Sequence, residues 1–148
     1  HKEDMCSVVY KAFFQVRDTG KIRLFKSYRD DYPDGGQMRD FVYVKNCVDI
    51  IWWLLAHPTV NGIFNIGNGQ ARTWNDLAQA VFAAMSKDPE IEYIEMPVAL
   101  RDRYQYYTQA EMTSLTAAGC PVKMTSLEDA VNDYVANYLQ RGDAYLEK

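Results

Sequence analysis

The sequence predicts an α/β chain with a few short strands, about four, and about five helices. Three observations carry that prediction. Apolar residues recur at helical spacing in several stretches, short alternating or β-rich runs separate them, and Gly, Pro and Asp-rich punctuation marks the joins. The order is α, β, loop, β, α, β, α, β, α, α, without internal repeat or linker, so residues 1–148 read as one domain.

Met5, Val8, Val9, Ala12, Phe13 and Val16 make the first helical stripe, which Gly20 stops. "KIRLF" (21–25) alternates as a short strand, and "KSYRDDYPDGGQM" (26–38) reads as a loop. "RDFVYV" (39–44) is strand-like. In "NCVDIIWWLLAHP" (46–58), Val48, Ile51, Trp52 and Leu55 share one helical face while Ile50 and Leu54 lie nearly opposite. Such a helix expects burial on more than one side, and Pro58 ends it. "IFNI" (63–66) reads as a strand. Thr73 with Asp76 reads as a capping box, followed by the stripe Trp74, Leu77, Ala78, Val81, Phe82 and Met85. "IEYIEMP" (91–97) is a strand stopped by Pro97, and 98–119 is a short segment followed by a helix ending at Gly119. Thr125 and Glu128 cap a last helix carrying Leu127, Ala130, Val131, Tyr134, Val135, Tyr138 and Leu139.

The bulk composition excludes several classes. The apolar fraction of 48% is that of a globular chain, and no run approaches the length of a membrane span. A net charge of −4, with acids and bases mixed, gives no nucleic-acid surface. Three cysteines, Cys6, Cys47 and Cys120, at unrelated spacings argue against a disulfide framework or a metal site and fit a reducing cytosol. The 11 Tyr and 3 Trp exceed what a plain core needs. The charged start "HKED", without Met, is no signal peptide and reads as a piece whose natural start lies upstream.

Strand-like "IFNI" running into Gly67-Asn68-Gly69 raises the question of a dinucleotide-binding loop. A fingerprint needs a third glycine, which would fall at position 72; that residue is Arg72. The glycines therefore read as a tight turn rather than a pyrophosphate cradle. The 46–58 helix and 62–66 strand, both strongly apolar, also expect a partner sheet that four short strands do not provide.

Several phrases together resemble one family. "RDFVYVKNCVD" and "GIFNIGNGQARTWNDLAQAV" resemble segments of extended short-chain dehydrogenase/reductases acting on nucleotide sugars, the NAD-dependent epimerase/dehydratase family. "IEYIEMPVALRDRYQYYTQAEMTSLTAAG" resembles its heptose-epimerase branch, and "HK" resembles that branch's His-Lys element. The resemblance implies the C-terminal, substrate-binding portion of such an enzyme, lacking the N-terminal Rossmann sheet. The family's Tyr-x-x-x-Lys pair has only a formal counterpart, Tyr145 and Lys148, read as chance. The implied activity inverts C6″ of an ADP-linked heptose through transient oxidation by NADP, which the N-terminal half would mainly hold. The implied setting is lipopolysaccharide-core heptose supply in the cytoplasm, by a homo-oligomer with an ADP-sugar as partner.

By the same resemblance, Lys2 is the catalytic acid/base on one face of the ketone and also touches the cofactor. Asp4, Lys11, Phe25, Lys26, Ser27, Tyr28, Arg39 and Tyr104 are substrate-binding positions. Chemistry supports Arg39, since a guanidinium fork matches a diphosphate as an ammonium cannot; the plain alternative is a surface arginine opening a strand. Asp40 reads as fixing backbone geometry. Arg101 and Arg103 read either as positive charge near the phosphates or as an exposed pair, and the 26–38 loop either as a lid or as a solvated excursion. His57 reads as a helix-end residue near the C-terminal dipole. Trp52, Trp53, Trp74, Tyr134 and Tyr138 read as packing residues. The isolated chain is expected to be inactive. Two other readings stand beside this one: a non-catalytic nucleotide-binding or oligomerisation module, and another nucleotide-sugar epimerase or dehydratase, against which "RDRYQYYTQA" argues.

Overall fold

The computed structural model describes residues 6–142. Helix α1 (Val8–Thr19) turns Ala12, Phe13 and Val16 inward and ends on Gly20, whose φ of 75° lets its N–H reach the Val16 carbonyl at 3.0 Å. Strand β1 (Ile22–Phe25) follows. Its parallel partner is the late strand β4 (Ile91–Ile94), in register from Ile22 opposite Ile91 to Phe25 opposite Ile94. Between them come β2 (Met38–Arg39) and β3 (Arg72–Thr73), paired antiparallel with Met38 opposite Thr73.

Helix α3 (Trp74–Ala84) starts where the sequence signals it. The Thr73 hydroxyl accepts the Asp76 N–H at 3.0 Å and the Asp76 carboxylate accepts the Thr73 N–H at 2.9 Å, satisfying two orphan donors. Its inward residues Leu77, Ala78, Val81 and Phe82 form the centre of the core. Helix α6 (Leu127–Tyr134) runs on into a π-helical turn (Val135–Leu139), and Leu127, Val131, Val135 and Leu139, each four residues apart, close the core over α1 and α3. Two short helices, α4 (Val98–Arg101) and α5 (Thr113–Ala117), lie in the segment between β4 and α6.

Helix α2 (Val44–Ala56) buries only Asn46 and Ile50. Its other face is open: Val48, Ile51, Trp52 and Leu55 are all more than half exposed, Trp52 at 72%. An apolar helix with one uncovered face is what the two-sided pattern implies when few strands surround it.

The structure departs from the sequence reading in four places. The 62–66 strand does not form; residues 63–66 have no ladder partner and Ile63 is 95% exposed. The fourth strand is instead Arg72–Thr73, too short to show a period. The expected 39–44 strand shrinks to Met38–Arg39 because α2 already begins at Val44. The last helix is capped by Ser126 and Asp129, one residue later than expected, since Thr125 gives its N–H to Asn46 (3.0 Å) and Glu128 pairs with Arg72 (2.7 Å).

Candidate functional site

Parallel strands in α/β folds present ligand-binding groups beyond their C-terminal ends. Here Phe25 and Ile94 close β1 and β4 side by side, and a line of rings extends outward from them. The Phe25 ring meets Tyr104 at 6.2 Å, Tyr104 meets Tyr106 at 5.7 Å, and Tyr106 meets Tyr32 at 5.2 Å, the first two edge to face.

Arg39, which ends β2, brings its guanidinium to this line. Its central carbon lies 5.2 Å from the Tyr104 ring and 5.8 Å from the Trp74 ring, and Nη1 donates to the Met38 carbonyl at 2.7 Å. Arg29, Arg72 and Arg101 all pair with carboxylates, whereas Arg39 has none among the described residues. Its charge stays available. Burial pushes the Tyr104 phenol up, while the Arg39 cation and, after it, the Trp74 indole pull the other way. That indole N–H is buried without an acceptor at hydrogen-bonding distance.

A second group sits on the loop after β1. Glu95 accepts Lys26 Nζ at 2.7 Å and the Tyr28 hydroxyl, and the Arg101 guanidinium lies 3.6 Å from it and 3.8 Å over the Tyr28 ring. Lys26, then Tyr28, hold the Glu95 carboxyl below its usual range, and the same bond raises the Tyr28 phenol. The Tyr28 N–H donates to the Tyr106 hydroxyl at 2.9 Å, and Arg29 stacks near both Tyr32 and Tyr106. The start of the 26–38 segment is thus tied down to the ring line.

Of the sequence-predicted residues, Phe25, Arg39 and Tyr104 come together directly, with Lys26 and Tyr28 beside them on Glu95. Ser27 turns into its own loop: its hydroxyl donates to the Arg29 carbonyl at 2.9 Å and its N–H to Asp34 at 2.6 Å. Lys11 is exposed on α1 and joins none of these contacts. Lys2 and Asp4, like Tyr145 and Lys148, lie outside the described residues. Arg101 is taken up by Glu95, Tyr28 and the Met96 carbonyl (3.0 Å), and Arg103 is exposed. Three participants escaped the sequence reading. Tyr106 is two residues from Tyr104, the spacing that puts both on one side of an extended segment. Trp74 follows directly on the Thr73 cap, and Glu95 directly on a strand end.

Asp40 has the structural role its position suggests. Its carboxylate accepts the N–H groups of Asn68 at 2.5 Å, Gly69 at 3.0 Å and Ala110 at 2.8 Å. Two amides of the Gly-x-Gly turn are therefore taken up by a carboxylate and the third, that of Gly67, by Met112 Sδ (3.3 Å), and the turn does not fit a dinucleotide pyrophosphate. Among the described residues no cluster of His, Cys, Asp and Glu could hold a metal ion, and no helix is long and apolar enough to cross a membrane.

Comparison with known proteins shows what the chain is similar to. Residues 1–67 match the NAD dependent epimerase/dehydratase family. The fold is that of the C-terminal part of an extended short-chain dehydrogenase/reductase. It superposes on Helicobacter pylori ADP-L-glycero-D-manno-heptose-6-epimerase with a TM-score of 0.67 at 23% identity, covering 92% of this chain and 38% of that one. It also superposes on the UDP-glucose 4-epimerase of Thermus thermophilus, solved in complex with NAD, with a TM-score of 0.63 at 25% identity over 84% and 37% of the two chains.

Among curated proteins the likeness is more particular. The chain is 58% identical, over 99% of its length, to the ADP-L-glycero-D-manno-heptose-6-epimerase of Nitratidesulfovibrio vulgaris, of which it covers 45%. The likeness to heptose epimerases read from the sequence holds, and the chain spans about half the length of the curated relatives it matches.

Proposed function

We propose that this chain is the substrate-binding domain of an ADP-glycero-manno-heptose 6-epimerase, and that Phe25, Tyr104 and Arg39, with Tyr28 beside them, receive the ADP end of the sugar nucleotide. The observation that carries the reading is Arg39: a guanidinium flanked by two rings, without a carboxylate partner among the described residues, beside the ends of the parallel strands. Such a group binds a diphosphate through charge-assisted, bidentate hydrogen bonds. The rings of Phe25 and Tyr28 are apolar planes on which a purine stacks. The family kinship supplies the substrate class.

The enzyme so completed is an isomerase acting through NADP in lipopolysaccharide-core heptose supply, in the cytoplasm. The Gly-x-Gly turn does not fit the cofactor, because Asp40 occupies the Asn68 and Gly69 amides; the site serves substrate binding, the cofactor is held mainly by the N-terminal half, and the isolated chain is inactive. Lys2, in the His-Lys element, is the proposed acid/base and cofactor contact. The test is calorimetry with ADP on the chain. Arg39→Ala weakens binding about 10- to 100-fold, the loss of a charge-assisted pair, while Arg23→Ala, an exposed arginine on β1, leaves it unchanged. No ADP binding by the unsubstituted chain overturns the assignment. A second reading, self-association into a homo-oligomer, is favoured by the open apolar face of α2.

A further inference from the structure

Trp74 is held through both its backbone and its ring. It opens α3 behind the Thr73–Asp76 capping box, its N–H donates to the Gln37 carbonyl at 3.2 Å, and its ring meets Phe41 at 5.1 Å. The buried Gln37 side chain in turn donates to the carbonyls of Phe25 (3.4 Å) and Lys26 (3.3 Å), so one short segment registers Trp74 against the end of β1. Within this frame the indole and Tyr104 flank a single guanidinium, that of Arg39. The indole N–H is buried and unpartnered. A buried donor without an acceptor carries a desolvation penalty, which is relieved in any arrangement that supplies one. Tyr104, the other ring on the same guanidinium, carries a phenolic oxygen able to accept it.

We propose that Trp74 is a positioning residue of this site, whose indole N–H donates to the Tyr104 hydroxyl when an anionic ligand draws Arg39 and its two flanking rings together, so that the phenol's own proton is aimed at the anion. A hydroxyl that accepts a hydrogen bond becomes a better donor. Tyr104 then adds a neutral, directional contact to the charge that Arg39 supplies, and the indole fixes its rotamer. Trp74 itself touches no ligand atom. The proposal rests on the nucleotide-binding reading of Arg39 and Tyr104 and adds the residue that orients them.

The experiment uses Trp74→Phe, which keeps an aromatic ring against Phe41 and Arg39 but removes the N–H together with the second ring of the indole, alongside Tyr104→Phe and the double variant, which separates the lost hydrogen bond from the lost packing. Two quantities are measured: ADP affinity by calorimetry, and the titration of the Tyr104 phenol by NMR of 13Cζ-labelled tyrosine over about pH 8 to 12. The expected results are an affinity loss of about five-fold in Trp74→Phe, the worth of one neutral hydrogen bond, and no further loss when Trp74→Phe is added to Tyr104→Phe. With ADP bound, the Tyr104 titration moves to higher pH in Trp74→Phe. Equal affinity with an unmoved titration overturns the proposal, and so does an affinity loss of the same size in the Tyr104→Phe background, which marks a merely structural Trp74. Should the unsubstituted chain bind no ADP, the nucleotide reading fails and inorganic pyrophosphate replaces ADP as the anionic probe; a Tyr104 titration that Trp74→Phe leaves unmoved with pyrophosphate present then overturns the proposal.

Discussion

Asp40 and Gly69 are 29 residues apart and joined by a 3.0 Å hydrogen bond from the Gly69 N–H to the Asp40 carboxylate, which also accepts Asn68 and Ala110. One side chain thus pins the turn after residues 63–66 and the segment leading to α5 against the residue next to Arg39. Replacing it by Asn substitutes a donor for one acceptor oxygen and leaves a backbone N–H unpaired. Asp40→Asn should lower stability by about 1–3 kcal/mol, measured by urea unfolding, and should weaken ADP binding indirectly through the displaced Arg39.

Gly67 tests the same joint from the other side. A Cβ there would lie 2.4 Å from the Ala110 Cβ and 2.6 Å from Asp40 Oδ2. Neither neighbour can retreat without breaking the three hydrogen bonds at Asp40. Gly67→Ala should destabilise by about 1–3 kcal/mol, whereas Gly119→Ala, where a Cβ meets nothing within 4 Å but φ is +84°, incurs only the backbone strain, about 1 kcal/mol. Comparing the two in thermal melts separates crowding from conformation.

The helices, the capping box at Thr73 and the stop at Gly20 were legible because their signals are local. Thr73 and Asp76 sit three apart and need nothing distant, and the Gly20 stop follows from one residue's φ. The short strands were less legible, since Arg72–Thr73 shows no period and exists only through Met38–Arg39. Residues 63–66 show the converse: an apolar, β-prone run whose ladder partner must come from elsewhere. The site was partly legible. Arg39, Phe25 and Tyr104 came through family resemblance, but that Glu95 gathers Lys26, Tyr28 and Arg101, or that Trp74 flanks Arg39, depends on which strand ends the parallel pairing of β1 and β4 brings together.

Asp133 gives an acid-side prediction. Lys45 at 2.6 Å, the Tyr43 hydroxyl and Asn137 at 2.7 Å lower its pKa to about 2, while burial, followed by the bond to Asp133, raises the Tyr43 phenol to about 12. A folded pKa below the unfolded one contributes stability that is full above about pH 4 and is lost as pH falls toward 2. Lys45 is half exposed, so solvent screens much of the interaction and the contribution stays below about 1 kcal/mol. Asp133→Asn should flatten the stability profile between about pH 4 and pH 2 and leave its slope near neutrality unchanged, which urea midpoints across that range will show.

The open face of α2 yields the last prediction. Trp52 and Leu55 are 72% and 70% exposed and lie with Val48 and Ile51 on one stripe, whereas Ile50 on the opposite side is fully buried. Trp52→Glu and Leu55→Glu remove apolar surface that the folded chain does not use, so the unfolding midpoint should move by less than about 0.5 kcal/mol in either. Ile50→Ala, by contrast, opens a cavity and should cost about 2–5 kcal/mol. If the stripe mediates self-association, the two glutamate variants sediment as smaller species than the unsubstituted chain at equal concentration. An unchanged sedimentation profile would exclude this face as the contact between copies and remove the support for the oligomerisation reading.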